Sequence, residues 1–556
     1  MQRVSSEVLS TLIGRTRMDL AAGDPTQSRQ SPGHQEDLMS DAATTDNSPG
    51  FKKAAVILLG IIGGIQVFDP VVSSVALVSA SADLEFPAST QALAAGISTL
   101  ALAATVIPGG LLADRLGRRR VLMASLVVTT IGELITAAGL TISMYLLGRI
   151  IAGVALGVVF GASYGLLRDV SRADKLGPAM GLFNVMNLVI TSVAVLIGGF
   201  LILASWRLAY LLVPISAMVC FALVPKILPV VPKVPGGKID YLGMILVGLG
   251  VTGILYGVSH AADELTSPTC WAPILGGLIA LALFGVVEKH RDYAVFPLRL
   301  LAHPAFLGAV IMGIFWNFAN GAISQMLANI WQYVEGWGTG RVAIYQLLVA
   351  AFSVIGAFWG GRKLGKGSLP KTVSGIGYIL MVVGFLLLML PGKNAGILIF
   401  VPGMFCAAFG WMANATSQGS LFIGLAPKKF YGPVTSSKVT VGQFGYSLGL
   451  SASTAMISLL TLTQVSEKTN GAVSGSNDWN DVTKYMQDGT TRNSALAQIP
   501  HDVLTGIYVS SFRITLLVFA VILAIAGALM YWLLSRKKAN VPVEEFLAEE
   551  LAAHPG

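Results

Sequence analysis

Three ionisable residues stand inside long apolar runs: Asp69 in QVFDPVVSSVAL, Glu133 in TTIGELITAAG and Arg149 in LLGRIIAGVALGVVFG. Holding such a group at mid-bilayer costs roughly 2.5–3.5 kcal/mol on insertion scales, so each one is a candidate for function. Gln66 lies three residues before Asp69 and Ser73 four after it, so the three share one helical face, which is expected to line a cavity. Pro70 removes a backbone donor and lets the helix kink beside the carboxylate. A carboxylate desolvated in such a place can be held neutral and can exchange protons. The plainer alternative is a structural Asp, bonded to a nearby hydroxyl or capping a broken helix. Glu133, with Thr129 and Thr130 one turn earlier, is either a second titrating group or a protonated packing residue. Arg149 needs a carboxylate partner or internal water.

Further along, charges give way to amides. Gln325, Asn329 and Gln332 recur at one helical face, as do Asn414 with Gln418, and Thr440 with Gln443 and Ser447. With Gln66, Ser73, Asn317, Asn320, Tyr333 and Trp411 they make a candidate substrate lining, and Trp316 and Trp331 add apolar wall. Such a lining suits a large amphipathic or cationic small molecule. Each amide taken singly reads better as interhelical glue worth about 0.6 kcal/mol.

Other chemistries find no residues to carry them. There is no phosphate-binding glycine loop, no nucleophile elbow and no paired His at metal spacing, so an enzyme, a metal site or a cofactor is not expected. Cys220, Cys270 and Cys406 lack CxxC spacing. The net charge of +8 is scattered over short loops rather than gathered in a stripe, which argues against nucleic acid. The expected partners are a small-molecule substrate, protons and membrane lipids, with the chain acting as a monomer.

The elements that position these residues follow from composition. Only 12% of the 556 residues are charged while 54% are hydrophobic, against about 25% charged in soluble proteins. Residues 1–50 are polar and are expected to be a disordered tail. From Lys53 onward the apolar runs predict fourteen spans: 54–80, 90–113, 119–139, 142–167, 177–203, 207–226, 241–259, 269–287, 305–330, 343–362, 372–390, 394–424, 431–462 and 507–534. The loops after the even-numbered spans hold nineteen Lys and Arg, and the remaining loops six, which puts both termini in the cytoplasm of a multi-pass protein of the cell membrane. The loop from Gln464 to Gly506 would lie on the other side. Its Gly, Ser, Asn and Asp content favours disorder, whereas Val482, Tyr485, Met486, Leu496 and Ile499 could support a packed lid.

Between the second and third spans the sequence reads PGGLLADRLGRRR. Gly110, Asp114, Arg115, Gly117, Arg118 and Arg119 resemble, nearly position for position, the signature loop of the major facilitator superfamily. That resemblance implies an all-α fold of two six-span halves, here 51–226 and 303–535, joined by 227–302 with two additional spans and followed by a cytoplasmic tail at 536–556. It further implies a cytoplasmic lock made by Asp114 and Arg118, to which Asp169 at the end of span 4 belongs. The insertion resembles the fourteen-span drug:proton antiporters, as do Asp69, Val75, Ala76 and Leu77 in span 1 and the Arg-x-x-x-Gly of Arg149 and Gly153 in span 4. The family sets spans 1 and 4 beside one cavity, so the resemblance makes Asp69 the counter-ion of Arg149 and assigns proton coupling to that pair, which Glu133 joins on its mid-span position alone. Departures are Val71 and Ser74 in span 1, Ala194 and Val195 for the Gly-Pro of span 5, and a second loop, GGRKLGKGSLPK, without its Asp. The implied function is proton-coupled export of hydrophobic or amphipathic compounds by alternating access. Alternatives are export of an endogenous metabolite or envelope lipid, or a non-transporting scaffold or sensor.

Overall fold

In lipid, an apolar run of some twenty residues can satisfy its own backbone only as a helix, and the chain folds accordingly. The computed structural model describes residues 52–547 except 172–175, 232–240, 261–266, 290–297, 426–430 and 492. The tail expected at 1–50 lies outside the described residues, as does the last stretch from 548.

The amino-terminal half contains α1 (Lys53–Asp83), α2 (Ala88–Leu116), α3 (Arg118–Ala137), α4 (Ile142–Asp169), α5 (Leu176–Ala204) and a sixth span broken at Leu211 into α6 (Trp206–Tyr210) and α7 (Leu212–Ile227). Next come α8 (Tyr241–His260) and α9 (Pro268–Lys289). The carboxy-terminal half contains α10 (Pro304–Tyr333), α11 (Thr339–Gly365), α12 (Pro370–Leu387), α13 (Ile397–Gly424), α14 (Tyr431–Lys468), the short α15 (Trp479–Asp488) and α16 (His501–Ser535). Among the described residues thirteen stretches are long and apolar enough to cross a membrane, with α6 and α7 counting as one. The additional expected span, 241–259, is helical as α8, but its apolar part, Ile245–Val258, falls short of that length.

Within the first half α2 and α3 both pack on α4, α1 packs on α5, and α3 on α7. The second half repeats the scheme, with α10 on α14, α11 on α13, and α12 against α13 and α16. The halves meet through α2 on α14 and α5 on α11. α8 bridges α2 and α14, and α9 packs chiefly on α8, leaving most of its apolar surface outward. α1 is the most enclosed span, which is why its polar residues count.

Two segments beyond the spans are folded. Between α14 and α16 the chain forms α15, closed by Gly489 at a left-handed φ of 68°, and then a turn of 3-10 helix at Leu496–Gln498. Val482, Tyr485, Met486, Leu496 and Ile499 are buried there, Tyr485 Oη donates to the Ile499 carbonyl at 2.8 Å, and His501 Nε2 meets the Met486 carbonyl at 2.8 Å. The loop is therefore an ordered element, because its few apolar residues converge on one another. Residues 537–547, grouped above with a tail, also fold back: Val543 buries itself with Leu300, Phe306, Ala309 and Phe422, and the buried Phe546 packs edge-on against His303.

Candidate functional site

Asp69 on α1, Glu133 on α3 and Arg149 on α4 meet in the interior of the amino-terminal half, each at most 2% exposed. Arg149 Nη1 donates to Asp69 Oδ1 at 2.7 Å and to Glu133 Oε1 at 2.8 Å, and Nη2 donates to Asp69 Oδ2 at 3.0 Å. Ser98 Oγ on α2 gives Asp69 Oδ2 a third donor at 3.1 Å. The close approach of α2 to α4 that permits this depends on Gly153, where a Cβ would strike the Ser98 carbonyl. Charge-assisted pairs of this kind are strong only when their geometry is satisfied, and here the satisfaction is uneven. Glu133 Oε2, Arg149 Nε and Thr129 Oγ1 are buried and find no hydrogen-bond partner among the described residues.

Hydroxyls and rings cradle the cluster. Tyr210, at the end of α6, lies with its ring centroid 5.3 Å from the Arg149 guanidinium carbon, and its hydroxyl bonds to Ser73 at 3.0 Å and to Tyr145 at 2.7 Å. The break at Leu211 frees α6 to be pinned from outside: Trp206 Nε1 and Arg207 Nη1 both donate to Asp83 Oδ2, at 3.1 and 2.7 Å, and Arg207 Nη2 reaches the Gly139 carbonyl. Sequence reasoning missed Ser98, Tyr145 and Tyr210. Neutral residues in apolar runs give no charge signal, although the Trp-Arg pair three residues before Tyr210 marks the pinned turn.

The expected lock is described in part. Arg118 Nη1 bonds both Asp169 oxygens at 2.6 Å and the Gly165 carbonyl at 3.0 Å, tying the start of α3 to the end of α4. Arg119 reaches the carbonyls of Pro225 and Leu228. The Asp114 side chain lies outside the described residues, so the lock is seen through Asp169. Gly117 takes φ 103°, a left-handed conformation that glycine tolerates, and this lets α2 turn directly into α3 beside Arg115. Gly110 lies on α2 facing Gly161 of α4.

Across the seam, Gln443 Nε2 donates to Gln66 Oε1 at 3.3 Å, one turn from Asp69. Nearer the end opposite the Arg118 loop, Ser447 donates to the Gly96 carbonyl at 2.7 Å, Gln91 donates to Tyr333 at 2.9 Å, and the buried Trp479 of α15 donates to Gln91. Tyr333 thus joins the halves at that end, while Trp411 bonds Ser353 inside the second half at 3.1 Å. Asn317, Gln332 and Asn414 donate to carbonyls on their own helices, and Gln325 donates to Asn329. Gln418 accepts from Trp316 Nε1 at 2.9 Å, yet its own Nε2 and the Oδ1 of Asn414 are buried without a partner among the described residues. Asn320 is half-buried on α10.

The family model of the Major Facilitator Superfamily matches residues 58–450. The chain belongs to the major facilitator superfamily. It is 27% identical over 287 residues to an uncharacterized MFS-type transporter of Mycobacterium tuberculosis, covering 51% of this chain and 42% of that one. It is 30% identical over 247 residues to a multidrug resistance protein B homolog of the same organism, covering 41% and 45%. The chain thus spans less than half the length of these two relatives. A probable actinorhodin transporter of Streptomyces coelicolor is 26% identical over 412 residues, with 70% of each chain covered. Among solved structures, a bacterial homolog of the human lysosomal transporter Spinster superposes with a TM-score of 0.61 at 15% identity, covering 89% of this chain and 97% of that one. At that identity the likeness shows the fold. As a multi-pass member of this superfamily of transporters, the protein carries the buried Asp69, Glu133 and Arg149 cluster in the first of two similar halves.

Proposed function

We propose that the protein is a proton-coupled exporter of hydrophobic or amphipathic small molecules, cations among them, working as a monomer in the cytoplasmic membrane. The observation that carries this reading is the burial of two carboxylates against one guanidinium. With all three ionised the cluster has one negative charge in excess, which is costly in a low-dielectric interior, and one proton removes it. A proton that can come and go at the middle of a half is what coupling to a gradient requires. Partnerless amide atoms at Gln418 and Asn414 support a polar ligand contact in the second half. The names of relatives, an efflux pump of Dothistroma septosporum and the multidrug resistance homolog among them, support export. Taken with the positive-inside distribution, α8 is read as a fourteenth span, the Arg118 end as cytoplasmic and the Trp479 end as external.

The test is flux in proteoliposomes under an imposed pH gradient, with a fluorescent lipophilic cation as substrate. The wild type should drive uphill transport, and Asp69→Asn should abolish it while leaving insertion intact, since the change removes a charge with little change of volume. Uphill transport by the mutant equal to wild type would exclude the proposed role. If the wild type moves lipid or a polar metabolite instead, export stands and the substrate class changes.

A further inference from the structure

The two carboxylates are not equivalent. Asp69 uses both oxygens and receives three donors, two from Arg149 and one from Ser98. Glu133 receives a single N–H at Oε1. Its Oε2 is buried and unpartnered among the described residues, and Thr129, one turn earlier on the same helix, leaves Oγ1 unpartnered as well. A carboxylate with three donors is stabilised as an anion, whereas an added proton goes most readily to an oxygen that no donor already engages. That oxygen is Oε2 of Glu133.

We infer that the exchangeable proton of the cluster sits on Glu133 Oε2, while Asp69 stays ionised as the standing counter-ion of Arg149. This rests on the proton-coupled reading above and assigns its roles. Groups facing Glu133 are Asp69 from α1, Arg149 and Tyr145 from α4 and Tyr210 from α6, and the two tyrosine hydroxyls are engaged with each other and with Ser73. On the other packed helices, α7 offers the thiol of Cys220, uncharged at neutral pH. The charges of Arg115, Asp169 and Lys226 lie several turns away, at the Arg118 end. In the cycle an O–H bond forms at Oε2 with a proton from water on one side and breaks to give that proton to water on the other. While the proton is bound Arg149 faces one anion, Asp69, and after its release it is shared by two. Cluster charge alternates between zero and one negative, so a cationic substrate in the cavity can stand in electrostatically for the proton it displaces. Asp69 remains indispensable, because without it Arg149 pairs with Glu133 alone and the proton has no charge to neutralise.

Infrared spectroscopy of the purified full-length protein separates the assignments. A protonated-carboxyl band should be present in the wild type at neutral pH and absent in Glu133→Gln, and it should shift when glutamate side-chain carboxyls are labelled with heavy carbon but not when aspartate carboxyls are. Glu133→Gln should also lose uphill transport driven by the pH gradient, and whatever downhill exchange it shows should be independent of pH. A band that shifts with aspartate labelling overturns the inference, as does a spectrum in which Glu133→Gln removes no acid band. Wild-type flux indifferent to the pH gradient would overturn the proposed function itself, and the two failures are read from different measurements.

Discussion

Arg149 is held by distances of 2.7, 2.8 and 3.0 Å to two acids, in a place with almost no solvent. Removing it would leave the Asp69 carboxylate buried without its counter-ion, and the loss is large because that group cannot be rehydrated. Arg149→Leu is expected to cost about 3–5 kcal/mol of stability, read as a fall in the melting temperature in detergent. The double variant Arg149→Leu with Asp69→Asn should recover part of that loss, since one fewer charge is stranded. A single variant as stable as wild type would mean that the acids are already neutral. Tyr210 supports the guanidinium differently, through its ring face and through a hydroxyl turned toward Ser73 and Tyr145.

At the level of elements, the contact between the start of α3 and the end of α4 is the one most open to test. Arg118 and Asp169 are only partly covered, with 15% and 19% of their side chains exposed, so the pair adds little to stability, on the order of 1 kcal/mol or less. Its effect is on the balance of conformations. Arg118→Ala and Asp169→Asn are expected to slow turnover severalfold with ligand affinity unchanged, measured by transport and by equilibrium binding on the same preparations. Equal slowing of both steps, or of neither, would leave only a topological role for the arginine. At the same end, His303 caps α10, its Nε2 meets the Val541 carbonyl at 3.1 Å and its ring lies 4.9 Å from that of Phe546. Burial holds this imidazole below its ordinary 6.5 against the opposing pull of the Val541 carbonyl, so covering the ring disfavours its protonated form on balance. Docking is then strongest above that ordinary value and is lost as pH falls from it through the lowered value. Tryptic cleavage at Lys537 and Lys538 should rise as the pH is taken from about 7.5 to about 5.5, and His303→Asn should flatten that dependence.

In the whole molecule, the hydrogen bonds across the seam that have been described run from Gln66 at mid-span to Trp479 at the far end. Trp479 is one of the largest fully buried side chains, and it reaches Gln91, which in turn reaches Tyr333 in the other half. A tryptophan inserted at the meeting of two moving halves opposes their separation at that end. Trp479→Ala should therefore favour opening there, and a cysteine in place of Ser451, which faces Gly96 across the seam, should react faster with a polar thiol reagent in that background than it does with Trp479 intact. Unchanged reactivity would mean that α15 covers the bundle without holding it closed.

Most of the spans and the candidate charges were legible in the chain because the bilayer acts residue by residue: an apolar run must be a helix and a charge inside one must be exceptional. Asp69, Glu133 and Arg149 are found by that rule alone. Their association is not, since α1, α3 and α4 bring together residues 80 and 16 positions apart, and no local pattern encodes which helix faces meet. The same applies to Ser98 and Tyr210, neutral residues that matter only through what they touch, and to Arg118, whose partner Asp169 lies 51 positions away. The loop that became α15 was ambiguous for a related reason. Its composition is that of a disordered segment, and only the convergence of Trp479, Val482, Tyr485 and Ile499 on a surface supplied by other helices gives it a core. Local hydropathy determined where the chain crosses, and packing between distant helices decided which buried groups share a charge.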